Sequence, residues 1–228
     1  MLRPEQDAYG QILLAVHQGR EAHEIMERDD GVVYCGDPSD YLAAFRRWPA
    51  VERRAMRLVR GRVLDVGCGA GRAALHLQER GLEVVAIDES PLAVEVARRR
   101  GVRRAEVAPL GAVNASFGLF DTILLLRNNT GLAGGERHTR PLLRRLAKMT
   151  TENGRLVTDT VDPERLDDPT AARHRFRVRW QHYASPWFRY LMLRPGELPA
   201  LVGGTGWRIL RTIDDGSPRY AIILERDV

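Results

Sequence analysis

The chain has 228 residues, 44% hydrophobic and 29% charged, which is enough apolar content for one globular unit to bury a substantial core without disulfide or metal staples. Its formal charge of +5 allows an anionic partner, but with 35 basic residues scattered among 30 acidic ones it is weak support for nucleic acid, which is not expected as a partner. No apolar run nears the ~20 residues of a membrane span and the N-terminus lacks the apolar core of a secretory signal, so a cytoplasmic protein with no membrane role and two free thiols, Cys35 and Cys68, is expected.

Residues 1–60 read as a helical cap. Tyr9, Ile12, Leu13 and Val16 recur at helical spacing, the polar run Glu27-Arg28-Asp29-Asp30-Gly31 interrupts, and a second helix is expected around Tyr41, Phe45 and Trp48. From 61 to 160 strands and helices alternate. Arg62-Val63-Leu64-Asp65-Val66 is a short strand that ends in glycines and runs into a helix from Arg72 to Arg80. Glu83–Asp88 is a second strand, and Ser90-Pro91 supplies an N-cap and a first-turn proline for a helix through Arg100. Further strands are expected at about Arg104–Val107, Asp121–Leu126 and Arg155–Thr160, with a helix from about Glu136 to Met149. Such alternation implies right-handed crossovers and a mostly parallel sheet. Residues 161–195 carry two alternating runs around Ala184-Ser185-Pro186, expected to be an inserted antiparallel hairpin. Residues 196–228 hold a helix and two strands, Trp207–Ile213 and Tyr220–Glu225, joined by the turn Asp214-Asp215-Gly216-Ser217-Pro218.

A glycine-rich turn between strand and helix lets a ligand approach the backbone near unpaired helix N–H groups. The spacing here is Asp65-x-Gly67-x-Gly69-x-Gly71. A dinucleotide fingerprint starting at Gly67 needs glycine or alanine at 72, which is Arg72, and no Gly-Lys-Ser/Thr phosphate loop follows.

Val63-Leu64-Asp65-Val66-Gly67-Cys68-Gly69-Ala70-Gly71-Arg72 resembles the first motif of class I S-adenosylmethionine-dependent methyltransferases, and Val85-Ala86-Ile87-Asp88-Glu89-Ser90-Pro91 resembles their second. Phe120–Leu126 and the ending from Gly206-Trp207 are also similar to that family. The resemblance implies an α/β, Rossmann-like, mostly parallel seven-stranded sheet with helices on both faces and a C-terminal antiparallel hairpin, here with an N-terminal helical cap and the inserted hairpin. It implies S-adenosylmethionine as cofactor, with S-adenosylhomocysteine as product. Gly67 and Gly69 would approach the methionine moiety, with Cys68 between them in the cofactor site, Asp65 would help orient the loop and the amino-acid end, Asp88 would accept both ribose hydroxyls, and Glu89 would lie beside adenine. This sequence departs from the pattern after the third strand, where Val107-Ala108-Pro109-Leu110-Gly111 has no carboxylate; adenine contact there falls to backbone and Leu110. Arg127 and Asn128, leaving the fourth strand, are further cofactor candidates, and neighbouring Asn129 is an acceptor candidate. Asn128-Asn129-Thr130-Gly131 lacks the Asn-Pro-Pro-aromatic segment of some amino-group methylators.

Asp30 and Tyr34 in the cap, His138 at a helix start and His182 in the hairpin are the other acceptor candidates; no metal-ligand spacing joins them. Arg175, Arg177 and Arg179 alternate along one strand face. The expected function is methyl transfer by in-line displacement to a small-molecule acceptor. The alternatives are RNA or protein methylation, suggested by Arg98-Arg99-Arg100 with Arg103 and Arg104, and a non-catalytic cofactor-binding accessory role. No catalytic residue is assigned.

Overall fold

The computed structural model describes residues 2–227. In chain order it contains α1 (Ala8–His17), β1 (Glu24–Arg28), β2 (Val33–Gly36), α2 (Ala50–Met56), β3 (Val63–Val66), α3 (Arg72–Glu79), β4 (Val84–Asp88), α4 (Pro91–Arg99), β5 (Ala105–Val107), β6 (Phe120–Leu125), α5 (Glu136–Ala147), β7 (Thr150–Val161), β8 (Phe176–Trp180), β9 (Tyr183–Ala184), α6 (Leu198–Val202), β10 (Trp207–Ile213) and β11 (Arg219–Arg226). No helix among the described residues is long and apolar enough to cross a membrane.

The main sheet has seven strands in the order β10-β11-β7-β6-β3-β4-β5. Strands β3 to β7 are parallel, and β11 is antiparallel to both β7 and β10. Both faces are covered, because alternate residues of the central strands enter different cores. Val63, Val84 and Ala86 pack with Met56, Leu77 and Val94 of α2, α3 and α4. Leu64, Val66, Val85 and Ile87 pack with Leu142 and Leu146 of α5, Leu201 of α6 and Trp207. The chain adds β4 and β5 on one side of β3 and then returns to lay β6 on the other, so the crevice at the carboxyl ends of β3 and β6 is the topological switch point.

The helices start where the sequence places their signals. Ser90 Oγ accepts the Ala93 N–H at 2.9 Å and Pro91 opens α4. Gly71, at φ 76°, precedes α3, and a Cβ there would lie 2.4 Å from Val102 Cγ2, so glycine lets α3 seat against the end of α4.

Two regions depart from expectation. The N-terminal segment is helical at α1 and α2, but between them it forms the β1–β2 hairpin, with the polar run Asp29-Asp30-Gly31 at its turn, and Tyr41, Phe45 and Trp48 lie in or beside 3₁₀ turns instead of a continuous helix. These strands join a second, antiparallel sheet in the order β2-β1-β8-β9, with Met26 opposite Val178. The inserted hairpin turns earlier than expected, at Gln181-His182 with Gln181 at φ 51°, because Trp180 pairs with Tyr183. Beyond Ala184 the chain is a strap held by a bridge between Phe176 and Phe188 and by N–H bonds from Leu191 to Gly131 O and from Leu193 to Val161 O, each 3.0 Å. The second sheet, the strap and α1 roof the switch point.

Candidate cofactor and acceptor site

The crevice under this roof is a cavity of about 640 Å³, within the range of small-molecule sites. One end is built by the main sheet. Asp65, Gly67, Cys68, Asp88, Glu89, Leu110, Arg127, Asn128 and Asn129 all line it. Gly69 lies just beneath, donating its N–H to Asp88 Oδ2 at 2.8 Å, and the space a side chain would need is taken by the Tyr9 hydroxyl, 2.7 Å from where a Cβ would stand. Gly67, at φ 73°, leaves room for Asn129, whose Nδ2 donates to the Gly67 and Val66 carbonyls at 2.9 and 3.1 Å.

Asp88 also accepts the Ser90 N–H at 2.9 Å, so each carboxylate oxygen takes one backbone donor and keeps lone-pair capacity for another. Burial raises Asp88 to about 6, against the pull of those two N–H bonds. Asp65 is raised further, to about 7, by burial first and then by the charge of Asp88, with Arg72 opposing. Its Oδ2 is buried without a partner, as is Asn128 Oδ1. Burial also pushes the Cys68 thiol up, so it stays protonated and acts as a small apolar lining group.

β6 exits through Arg127 and Asn128, both left-handed at φ 61° and 62°, where side chains are strained by roughly 1–3 kcal/mol each. The conformation is held from below by Asp159 Oδ1, which accepts the Asn128 N–H at 2.6 Å while Oδ2 pairs with Arg219 at 3.0 Å. Arg127 lies over the Tyr41 ring at 5.0 Å and 3.7 Å from Glu52. Glu52 is fully buried and bonds Arg72 Nη2 at 2.5 Å, so one carboxylate from α2 orients two arginines toward the cavity.

The other end of the cavity is aromatic and comes from the roof: Tyr9, Tyr41, Phe176, Phe188 and Tyr190, with Met26, Met192 and the carboxylate of Glu24. The individual residues carried no motif; what unites them is β1 pairing with β8 across 150 residues of sequence. Among the acceptor candidates, only Asn129 lines the cavity. Asp30 and Tyr34 instead bind the buried guanidinium of Arg28 on the far side of the β1–β2 hairpin, where Arg28 also pairs with Asp168. His138 is exposed at the start of α5 beside Arg137, and His182 is exposed at the β8–β9 turn against Tyr183. The arginines of β8 are neutralised rather than presented, Arg177 and Arg179 by Glu27 and Arg175 by Asp29.

A family model described as "Methyltransferase domain" matches residues 63–154, the stretch that builds the sheet end of this cavity. Over its whole length the chain superposes with a TM-score of 0.86 and 27% identity on a Bacteroides fragilis S-adenosylmethionine-dependent methyltransferase solved with S-adenosyl-L-homocysteine, covering 98% of that structure. The chain is thus similar over its whole length to an S-adenosylmethionine-dependent methyltransferase, with the methyltransferase domain at residues 63–154. The chain is also 32% identical over 108 residues to the 2-heptyl-1-hydroxyquinolin-4(1H)-one methyltransferase of Mycobacteroides abscessus, and 31% identical over 107 residues to the cypemycin N-terminal methyltransferase of a Streptomyces species. The matched part is 44% of this chain in both cases and 43% and 42% of those relatives, so the chain spans under half the length of the curated relatives it matches.

The residues present suit the family's cofactor. An unpartnered buried Asp65 oxygen and the Asn128 carbonyl offer acceptors to an ammonium, Arg72 and Arg127 offer donors to a carboxylate, and Asp88 ends β4 where a ribose diol can donate to it. Arg72 is the addition that spacing did not suggest; only the position of Glu52 behind it turns it toward the pocket.

Proposed function

We propose that this methyltransferase transfers a methyl group from S-adenosylmethionine to a small-molecule acceptor, in the cytoplasm. The observation that carries the reading is the single cavity with a polar, glycine-lined end on the main sheet and an aromatic end under the roof. When bound, S-adenosylmethionine supplies a methyl group on a positively charged sulfur. The protein's part is alignment and exclusion of water, in a step where charge disperses. Asp65, Asp88, Glu89 and Asn128 would fix the cofactor from the sheet side, while the strap and β8 keep solvent from the aromatic end. The arginines once set apart as a basic cluster are largely engaged, Arg98 with Ala105 O, Arg99 with Glu95, Arg100 with Ala70 and Leu42 carbonyls and Arg104 with Glu106. An exposed free thiol, Cys35, is in keeping with a reducing compartment.

Calorimetric titration with S-adenosylhomocysteine tests the cofactor assignment. Asp88→Ala is expected to weaken binding on the order of tenfold to a hundredfold, because it deletes charge-assisted bonds to the diol. Wild-type affinity in that variant would refute the site.

A further inference from the structure

The acceptor end of the cavity carries a carboxylate that forms no ion pair among the described residues. Glu24 lines the cavity from β1, and its carboxylate accepts hydrogen bonds from the Tyr41 hydroxyl at 2.9 and 3.1 Å. Of the three guanidinium groups that share the lining, Arg72 bonds Glu52, Arg219 pairs with the fully buried Asp159, and Arg127 lies 3.7 Å from Glu52 and near enough to Glu24 to favour its charge without forming an ion pair with it. Around Glu24 the walls are ring faces and edges. Tyr9 and Tyr41 meet edge to face at 5.1 Å, and across the cavity Phe176, Phe188 and Tyr190 form a second group with centroids 5.0 to 6.4 Å apart.

We infer that the acceptor is a small organic amine, recognised as its ammonium by the Glu24 carboxylate within these two aromatic groups and freed for methylation when its proton passes to that carboxylate. The inference rests on the proposed function. A mostly buried carboxylate whose only hydrogen-bond donor is a phenol gains from a ligand cation, and its pKa is raised by burial despite the opposing pull of the Tyr41 hydroxyl and the nearby Arg127 charge. Ring faces attract the same cation through their quadrupoles. A carboxylate or phenolate acceptor would instead be repelled by Glu24, and a neutral alcohol would forgo the ion pair. The apolar lining from Met26 and Met192 suits the hydrocarbon or ring body that carries the amine.

Three probes of similar shape separate these cases: phenethylammonium, 2-phenylethanol and 3-phenylpropionate, titrated at pH 7.5 by ligand-observed NMR with and without S-adenosylhomocysteine. Phenethylammonium is expected to bind at least about tenfold tighter than either comparator, as one charge-assisted bond supplies. Glu24→Gln should erase that preference while leaving S-adenosylhomocysteine and 2-phenylethanol within about twofold of wild type. Equal or anion-favouring binding in the wild type, no ammonium binding at millimolar concentration, or an unchanged preference in Glu24→Gln would overturn the inference. S-adenosylhomocysteine binding is read in its own titration, so failure of the cofactor assignment shows separately from failure of the amine.

Discussion

Asp65 is the residue whose chemistry is most displaced by its setting. It sits at the carboxyl end of β3, 2% exposed, with Asp88 near enough to disfavour its charge, so the folded protein holds its proton to about pH 7 against an unfolded value near 3.9. The native state therefore binds more protons than the unfolded chain between about pH 4 and 7, and the unliganded protein loses stability as pH rises through that window. An ammonium group placed on Oδ2 selects the ionised form, so cofactor affinity has the opposite sign and grows with pH. S-adenosylhomocysteine affinity is expected to rise roughly five- to tenfold from pH 6 to pH 7.5, with most of that slope gone in Asp65→Asn, which should also bind more weakly throughout. A titration series at three pH values checks both. A slope that survives in Asp65→Asn would assign it to Asp88, which burial brings to about 6.

At the scale of elements, α1 is fixed by one carboxylate that serves two helices. Asp7 Oδ1 accepts the Gly10 N–H of its own helix at 3.0 Å and Oδ2 accepts the Leu92 N–H in the first turn of α4 at 3.2 Å. Gly10 lets the two approach, since a Cβ there would stand 2.3 Å from Ser90 Oγ. Asp7→Ala removes a cap and orphans a donor, so a loss of about 1–2 kcal/mol is expected by urea denaturation, with Asp7→Asn recovering part of it. No change in Asp7→Ala would mean water replaces both bonds. These elements also mark what the sequence carried. β3 and β4 with their helices were legible because apolar runs, capping residues and glycines are local signals, and the same glycines located the cofactor end of the cavity. β1 and β2 were not, because Glu24–Arg28 is short, has charged ends and is held as a strand by pairing with β2 on one side and with the distant β8 on the other. The acceptor end was hidden for the same reason, with Glu24, Tyr41 and Tyr190 on three separate segments. The left-handed backbone at Arg127 was equally unreadable, since arginine seldom adopts it, while Asn128 is a residue type enriched there.

The molecule as a whole is a main sheet with its own two cores and a roof with a third. That third core joins Ala8, Ile12 and Ala15 of α1 to Val178 and Trp180 of β8, and it touches the cavity through Met26 and Phe188. A separate small cluster, Leu13 with Ala93 and Val96, ties the opposite side of α1 to α4. The second sheet is thus attached to the cofactor domain through this ten-residue helix and through the strap, whose Leu191 and Leu193 bond Gly131 and Val161. Ile12 is fully buried at that junction. Ile12→Ala should cost about 2–4 kcal/mol from lost burial and the remaining cavity. Because the damage lies between roof and helix, it should appear as local opening: amide exchange in β1 and β8 accelerates on the order of a hundredfold, while β3 and β4 amides keep most of their protection. Hydrogen exchange with mass spectrometry resolves these strands. Uniform loss of protection across both sheets would show the two bodies to be one cooperative unit. A roof that opens alone would provide a route for acceptor entry and product release without disturbing the residues that hold the cofactor.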